Sequence, residues 1–250
     1  MKRALVLLTS LALAVPAYAF DWGEMLKGVV NPSSSQTAPS ATGIDALSST
    51  DINAALKEAL TRGADAAVAQ LGVKDGFLAN PQLKIPLPKN LQKAEKAMRM
   101  FGMGQQADDL VLAMNRAAEA AVPEAKTLLV ESVKQMTLED AKGILTGGQT
   151  SATDFFRKKT ETQLTERFLP IVKVTTDKVG LAQQYNRYAG MAAQFNLVDK
   201  SQANVEQYVT QQSLDRLYTL IGEKEAAIRA NPLQAGSDLL KKVFSTVTGK

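Results

Sequence analysis

The side chains that could act in catalysis are few in kind, because the chain of 250 residues contains no histidine and no cysteine. A Ser-His-Asp triad, a Cys-His pair and zinc sites built on imidazole or thiolate are therefore excluded. Carboxylate, amide, hydroxyl, lysine, arginine and tyrosine groups remain. The sequence also has no phosphate-binding glycine loop, dinucleotide fingerprint or calcium-binding loop. It therefore predicts no cofactor and no metal site.

A polar cluster near the middle of the chain, Asn115, Arg116 and Glu119, is a candidate site for a ligand or partner. On a helix, Arg116 and Glu119 are close enough to pair, and Asn115 and Glu119 are close enough to hydrogen-bond. Two interpretations are open. The cluster is either a solvated helix face with a surface ion pair, or a polar wall that lines a groove beside the helix break at Pro123.

Glu119 also belongs to an alternative hypothesis, in which the protein is an enzyme that cleaves cell-wall glycan with carboxylates. Such an enzyme needs one carboxyl group that stays protonated to act as its acid, and Glu119 and Glu131 are the candidates. The sequence shows no substrate-binding motif of the kind that accompanies this chemistry.

Two short motifs involve other carboxylates. Asp140 follows Thr137 by three residues, and Asp154 follows Ser151 by three. This is the spacing of a capping box, in which side chains satisfy free backbone amides of the first helical turn. We therefore interpret both pairs as helix caps and not as a catalytic pair of carboxylates.

The elements that would position these side chains are predicted to be helices. Apolar residues recur at steps of three and four, and no segment shows the strong alternation of a strand. Near the middle of the chain the apolar stripe is narrow and rich in alanine, so that a neighbouring helix can approach closely. This stripe comprises Met103, Ala107, Leu110, Met114, Ala117 and Ala121. We predict an all-α, bundle-like single domain over residues 48–250.

Prolines are predicted to divide the helices. Pro123 either kinks the central helix or lies in the first turn of the next, and Pro170 is predicted to start a new helix. The core candidates after Pro170 are Val174, Val179, Leu181, Tyr185 and Tyr188. Pro232 follows the end of a long helix, and a last amphipathic helix is predicted from about residue 237. Its apolar residues are Leu239, Leu240, Val243 and Phe244.

Residues 77–88, here called the proline-rich segment, do not fit a helix. Three prolines forbid helical structure and favour an extended backbone. Leu83, Ile85 and Leu87 alternate with lysine or proline, which predicts an extended chain with one apolar side. Phe77, Ile85 and Leu87 are therefore candidate contacts for a ligand or partner. The segment is either a structural crossover or a flexible gate over a pocket.

The first 19 residues have the pattern of a secretory signal peptide. A basic start, an apolar stretch over residues 4–15 and the sequence Ala17-Tyr18-Ala19 predict cleavage after Ala19 and a periplasmic location. The apolar stretch is too short to span a membrane, and no later segment approaches the required length without a charge, so the mature chain is predicted to have no transmembrane segment. Residues 20–47 are predicted to form an N-terminal arm and a disordered linker.

Motifs spread over residues 51–244 resemble those of a family of exported bacterial proteins known only as a domain of unknown function. They include Asp75-Gly76-Phe77, Lys84-Ile85-Pro86-Leu87-Pro88, Met114-Asn115-Arg116-Ala117-Ala118-Glu119, Tyr208-Val209-Thr210 and Leu240-Lys241-Lys242-Val243-Phe244. The resemblance implies a helical protein of the cell envelope and implies no activity. This chain departs from the family pattern at Arg216, where the family tends to have glycine, and at residues 234–236.

The sequence supports three functional hypotheses. The first is a non-catalytic binding protein of the envelope, whose partner is an unknown protein or an apolar small molecule. The second is the carboxylate enzyme described above. The third is a role in envelope assembly, with residues 20–43 as the contact. The formal net charge of +4 is small and mixed along the chain, which predicts no nucleic-acid partner.

Overall fold

The computed structural model describes residues 49–100, 102, 104–178, 180–194 and 203–231. The predicted signal peptide, the N-terminal arm and the helix predicted from residue 237 lie outside these residues. Within them every regular element is helical, which confirms the all-α prediction. The α-helices are α1 (Ser49–Leu71), α2 (Lys89–Met100), α3 (Gly104–Ala121), α4 (Ala125–Lys134), α5 (Leu138–Thr146), α6 (Ser151–Asp177), α7 (Leu181–Gln194) and α8 (Val205–Ala230).

The long helices α6 and α8 pack along each other at the centre of the fold. α3 packs against α6, and α1 packs against α4 and α8, so that the helices enclose a shared apolar core. The predicted alanine-rich stripe of α3 contributes to this core, since Ala107, Met114, Ala117 and Ala121 are buried. The alanines of this stripe are small enough for a neighbouring helix to approach closely, and α6 packs against α3.

Proline has different effects at two positions. Pro123 lies in the first turn of a 3-10 helix over Val122–Glu124, which follows α3 and joins it to α4. This agrees with the sequence alternative in which a new helix begins with Pro123 in its first turn. α6 instead continues through Pro170, so the prediction of a new helix there is wrong. Pro170 faces solvent, where water can hydrogen-bond the carbonyl group left without an amide partner. Phe168 and Val172 hold both sides of the proline in the core.

The continuity of α6 also corrects one predicted core position. Phe168, Val172 and Thr176 are buried at steps of four residues. Val174 then falls on another side of the helix and is 58% exposed, contrary to the prediction. Tyr185 of α7 is buried as predicted. The side chains of Val179, Leu181 and Tyr188 lie outside the described residues.

The two predicted capping boxes have different outcomes. At α5, the Thr137 hydroxyl accepts the backbone N–H of Asp140 at 3.0 Å and the Asp140 carboxylate accepts that of Thr137 at 3.1 Å, which confirms the box. The prediction for α6 is wrong, because the Ser151 hydroxyl donates to the carbonyl of Ile144 at 2.9 Å. The first amides of α6 are bonded instead by Glu225 of α8, as described below.

Replacing Asp140 with asparagine is expected to destabilise the protein by about 0.5–1 kcal/mol at neutral pH. The backbone N–H of Thr137 holds the pKa of Asp140 below its ordinary value. The ionised carboxylate therefore stabilises the fold above the pKa of an unfolded aspartate, about 3.9, and this contribution is lost as the pH falls through the lower folded pKa. Urea unfolding should show the difference between the two proteins at pH 7, and the difference should shrink below about pH 4.

Asp154→Asn is the matched control for this cap. Asp154 also lies in the first turn of a helix, but its carboxylate accepts a hydrogen bond from the Thr150 hydroxyl at 3.1 Å rather than from a backbone amide. Its replacement should have a smaller effect. Equal losses for the two variants at every pH would contradict the role assigned to Asp140.

Candidate functional site

The predicted polar cluster on α3 lies beneath the proline-rich segment and binds its backbone. Asn115 is fully buried, and its side-chain oxygen accepts the N–H of Ile85 at 2.8 Å. Its side-chain amide donates to the carbonyl of Ile85 at 2.9 Å and to a carbonyl of the preceding helical turn at 2.7 Å. Glu119 is also buried, and one carboxylate oxygen accepts the N–H groups of Phe77 and Leu78, each at 3.2 Å. Neither sequence interpretation of the cluster, a solvated face or a groove wall, describes this arrangement.

Arg116 completes the cluster nearer the surface. Its guanidinium donates to the second carboxylate oxygen of Glu119 at 2.6 Å and to Asp75 at 2.7 Å. These hydrogen bonds, that of Glu119 first, raise the pKa of Arg116. Asp75 has a φ of 69° and precedes Gly76, where a Cβ would lie 2.6 Å from two backbone carbonyl oxygens of α1. The turn therefore requires glycine at its second position, and it brings Asp75 to Arg116.

The apolar side chains of the proline-rich segment point into the core. Phe77, Ile85 and Leu87 are buried, and the Tyr208 hydroxyl of α8 donates to the carbonyl of Pro86 at 2.9 Å. Burial raises the pKa of Tyr208 to about 12, so its hydroxyl remains a donor. Residues 77–79 and 81–83 form turns, so the predicted extended chain is limited at most to residues 84–88, which have no regular secondary structure. These contacts are those of a structural crossover.

The binding role predicted for these residues stays a prediction, since their contacts described above are with the chain itself. The predicted site residues are Asn115, Arg116, Glu119, Phe77, Ile85 and Leu87.

The two candidate catalytic carboxylates have different surroundings: both oxygens of Glu119 are bonded within the fold, and Glu131 is exposed on α4. The geometry therefore does not favour glycan cleavage. Within the described residues, no three aspartate or glutamate side chains converge to hold a metal ion.

A groove bounded by α1, α5, α6 and α8, here called the apolar groove, is lined mainly by apolar side chains. The groove is partly open to solvent. Its lining residues are Ile52, Ala55, Leu56, Ala59, Leu60, Gly63, Ala64, Ile144, Leu145, Ala152, Phe156, Ile221, Glu225, Ile228 and Arg229. On α1, Ala55, Ala59 and Gly63 recur at steps of four, so that small residues form part of this side of the groove.

The two charged residues of the groove are bonded to the start of α6. Glu225 accepts the backbone N–H groups of Ala152 at 3.0 Å and Thr153 at 2.9 Å, together with the Thr153 hydroxyl at 2.7 Å. Arg229 donates to Glu225 at 2.8 Å and to the Ser151 hydroxyl at 2.7 Å. The Glu225 carboxylate therefore caps the start of α6. The positive end of the α6 dipole also favours a negative charge at this position.

Sequence reasoning missed Glu225, although a signal was present. The predicted apolar stripe of α8 includes Leu214, Leu217, Ile221 and Ile228, and Glu225 occupies the helical position between the last two. A carboxylate in the middle of a core stripe is rarely buried without a partner. Arg229, four residues later, supplies one partner, and the uncapped start of α6 supplies the others.

The described part of the chain contains no helix with the length and apolarity needed to cross a membrane. No curated protein and no solved structure shows a significant match to the chain. Residues 46–245 match a protein family described as "Protein of unknown function (DUF4197)", which confirms the resemblance seen in the sequence motifs. Since this match spans most of its length, the chain belongs to that family of proteins of unknown function.

Proposed function

We propose that the chain is an exported, non-catalytic binding protein of the cell envelope and that its apolar groove holds one acyl chain. The observation that carries this proposal is the largely apolar lining contributed by four helices. Burial of an apolar ligand there is favourable by roughly 25 cal/mol per Å² of apolar surface removed from water. Spaces between packed helices are a common place for such ligands in helical bundles.

The polar groups of the groove support binding rather than catalysis. Both carboxylate oxygens of Glu225 accept hydrogen bonds from α6, and Arg229 is bonded to Glu225 and to Ser151. A general acid or a nucleophile must reach its substrate, whereas these groups are held by the fold. The sequence also has no histidine or cysteine that could replace them.

Export is supported by the N-terminal pattern that predicts cleavage after Ala19. A periplasmic protein with an apolar groove has access to the acyl chains of the envelope membranes. The location expected from the sequence therefore agrees with an acyl chain as the ligand of the groove.

Filling the groove without disturbing α1 is expected to weaken binding. A Cβ at Gly63 would lie 3.7 Å from Ile228 and 3.9 Å from Lys224, which are ordinary contacts, so Gly63→Leu directs a side chain into the groove. Helix propensity favours leucine over glycine by roughly 0.5–1 kcal/mol, and the fold should be retained. We expect the variant to bind a dansyl-labelled undecanoic acid about tenfold more weakly than the unchanged mature protein, as measured by fluorescence titration.

Gly190→Leu is the matched control for this variant. Gly190 lies in α7, which contributes nothing to the groove lining, and among the described residues no heavy atom of another helix lies within 4 Å of its Cβ position. Its replacement should leave binding unchanged. Equal losses in both variants, or no saturable binding by the unchanged protein, would overturn the proposed ligand. Recovery of the unprocessed chain in the cytosol of its host would overturn export.

A further inference from the structure

Helix α1 lines the apolar groove along four successive turns. Its lining residues run from Ile52 to Ala64, and this stretch is about 18 Å long at the rise of an α-helix. Ala55, Ala59 and Gly63 place a small residue in each of the last three turns. The remaining lining residues belong to α5, α6 and α8. The groove therefore presents a long apolar surface that follows the axis of α1.

The groove offers little to a polar head group. Glu225 and Arg229 are its charged lining residues, and they bond to each other at 2.8 Å. Both oxygens of Glu225 also accept hydrogen bonds from the start of α6, and Arg229 donates to the Ser151 hydroxyl. A ligand that drew one member of this pair away would leave the other charge uncompensated in the interior, which is unfavourable.

We infer that the groove holds one extended hydrocarbon chain lengthwise against α1, with about 14 carbons in contact, and leaves its head group in water. Carbon–carbon bonds of about 1.5 Å advance a zigzag chain by about 1.3 Å each, so the lining stretch of α1 matches a tetradecanoyl chain. A free fatty acid and the acyl chain of a lysophospholipid then bind alike. Chain length and an exposed head group are new here, and both rest on the proposed function.

A series of straight-chain acids tests the length. Octanoic, decanoic, dodecanoic, tetradecanoic and hexadecanoic acids compete with the dansyl-labelled undecanoic acid for the mature protein, each below its critical micelle concentration. The affinity should rise about two- to fourfold per added carbon, because each methylene that contacts the groove leaves water. The rise should end at tetradecanoic acid. Equal affinities throughout the series, or a rise that continues undiminished to hexadecanoic acid, would overturn the inference.

Gly63→Leu should move the end of this rise to shorter acids. Gly63 lies in the last of the four turns, where the new side chain shortens the groove by about 5.4 Å, one helical turn. Octanoic acid should bind as before, whereas tetradecanoic acid should bind no better than decanoic acid. Gly190→Leu, on α7 and away from the groove lining, should leave the whole series unchanged. Equal weakening of octanoic and tetradecanoic acid by Gly63→Leu would contradict a chain that lies lengthwise against α1.

Head groups of different charge test the exposed end. At equal chain length, dodecanol and dodecanoyl lysophosphatidylcholine should bind within about threefold of dodecanoic acid, because the groove contacts only the hydrocarbon chain. A preference of more than about tenfold for the acid would place its carboxylate on a charged group of the groove and overturn the exposed head group.

The outcomes also separate chain length from the proposed function. Saturable binding of the dansyl-labelled acid that Gly63→Leu weakens, together with equal affinities throughout the length series, would support an acyl-chain site and overturn the lengthwise arrangement. No saturable binding of the dansyl-labelled acid would overturn both.

Discussion

Replacing Glu225 with leucine is expected to lower the free energy of unfolding by about 3–5 kcal/mol, because it removes one partner of a buried ion pair. Arg229, whose side chain is 16% exposed, would lose its carboxylate partner. The backbone N–H groups of Ala152 and Thr153 would lose their acceptor. Domains are stable by only about 5–15 kcal/mol, so the midpoint of urea unfolding at pH 7, followed by circular dichroism, should shift clearly.

Two companion variants show whether the loss comes from the pair itself. Glu223→Leu removes an exposed carboxylate from the same part of α8 and should change stability by less than about 0.5 kcal/mol. Adding Arg229→Leu to Glu225→Leu should restore part of the lost stability, because the interior then holds no unpaired charge. If Glu225→Leu were as mild as Glu223→Leu, the cap assigned to α6 would be incorrect.

Asn115→Leu should have the second large effect, a loss of about 3 kcal/mol in the free energy of unfolding. Leucine resembles asparagine in size but leaves the buried N–H and carbonyl groups of Ile85 without their partners. Each unsatisfied buried group of this kind costs about 1–3 kcal/mol. The same urea titration measures the loss.

Asn80→Leu is the control for Asn115. The side chain of Asn80 accepts the N–H of Gln82 at 3.0 Å in an exposed turn, where water can replace it. Its substitution should cost about 1 kcal/mol or less. A loss at Asn115 no larger than this would show that its hydrogen bonds to the proline-rich segment contribute little to stability.

The helical fold could be predicted because its signals are local. Met114 and Ala117 of α3, like Leu214 and Leu217 of α8, are buried as their helical spacing indicated. The cap formed by Thr137 and Asp140 was predictable for the same reason, since both partners lie within one turn. The start of α6 was not, because its carboxylate partner lies 72–73 residues away. The passage of α6 through Pro170 likewise depends on core contacts that no local pattern shows.

The polar cluster was placed on the correct helix, but its surroundings were not predicted. Charged and amide side chains are mostly exposed, which favoured a solvated face or a groove. Asn115 and Glu119 are buried instead because the irregular backbone of the proline-rich segment needs hydrogen-bond partners of its own. Prolines reveal such a backbone without revealing which distant side chains will satisfy it. The apolar groove was not predictable either, since four helices from separate parts of the chain form it.

The side chains that hold the proline-rich segment lie at unequal distances from it along the chain. Asn115 is 30 residues from Ile85 and Glu119 is 42 residues from Phe77, whereas Tyr208 is 122 residues from Pro86. Closing a shorter loop costs less chain entropy and favours faster folding. The contacts of Asn115 and Glu119 with the segment therefore close their loops at a lower entropic cost than the contact of Tyr208 with Pro86. α8 closes longer loops, both by joining Tyr208 to Pro86 and by bringing Glu225 to the first amides of α6, and we expect these contacts to form after those of α3.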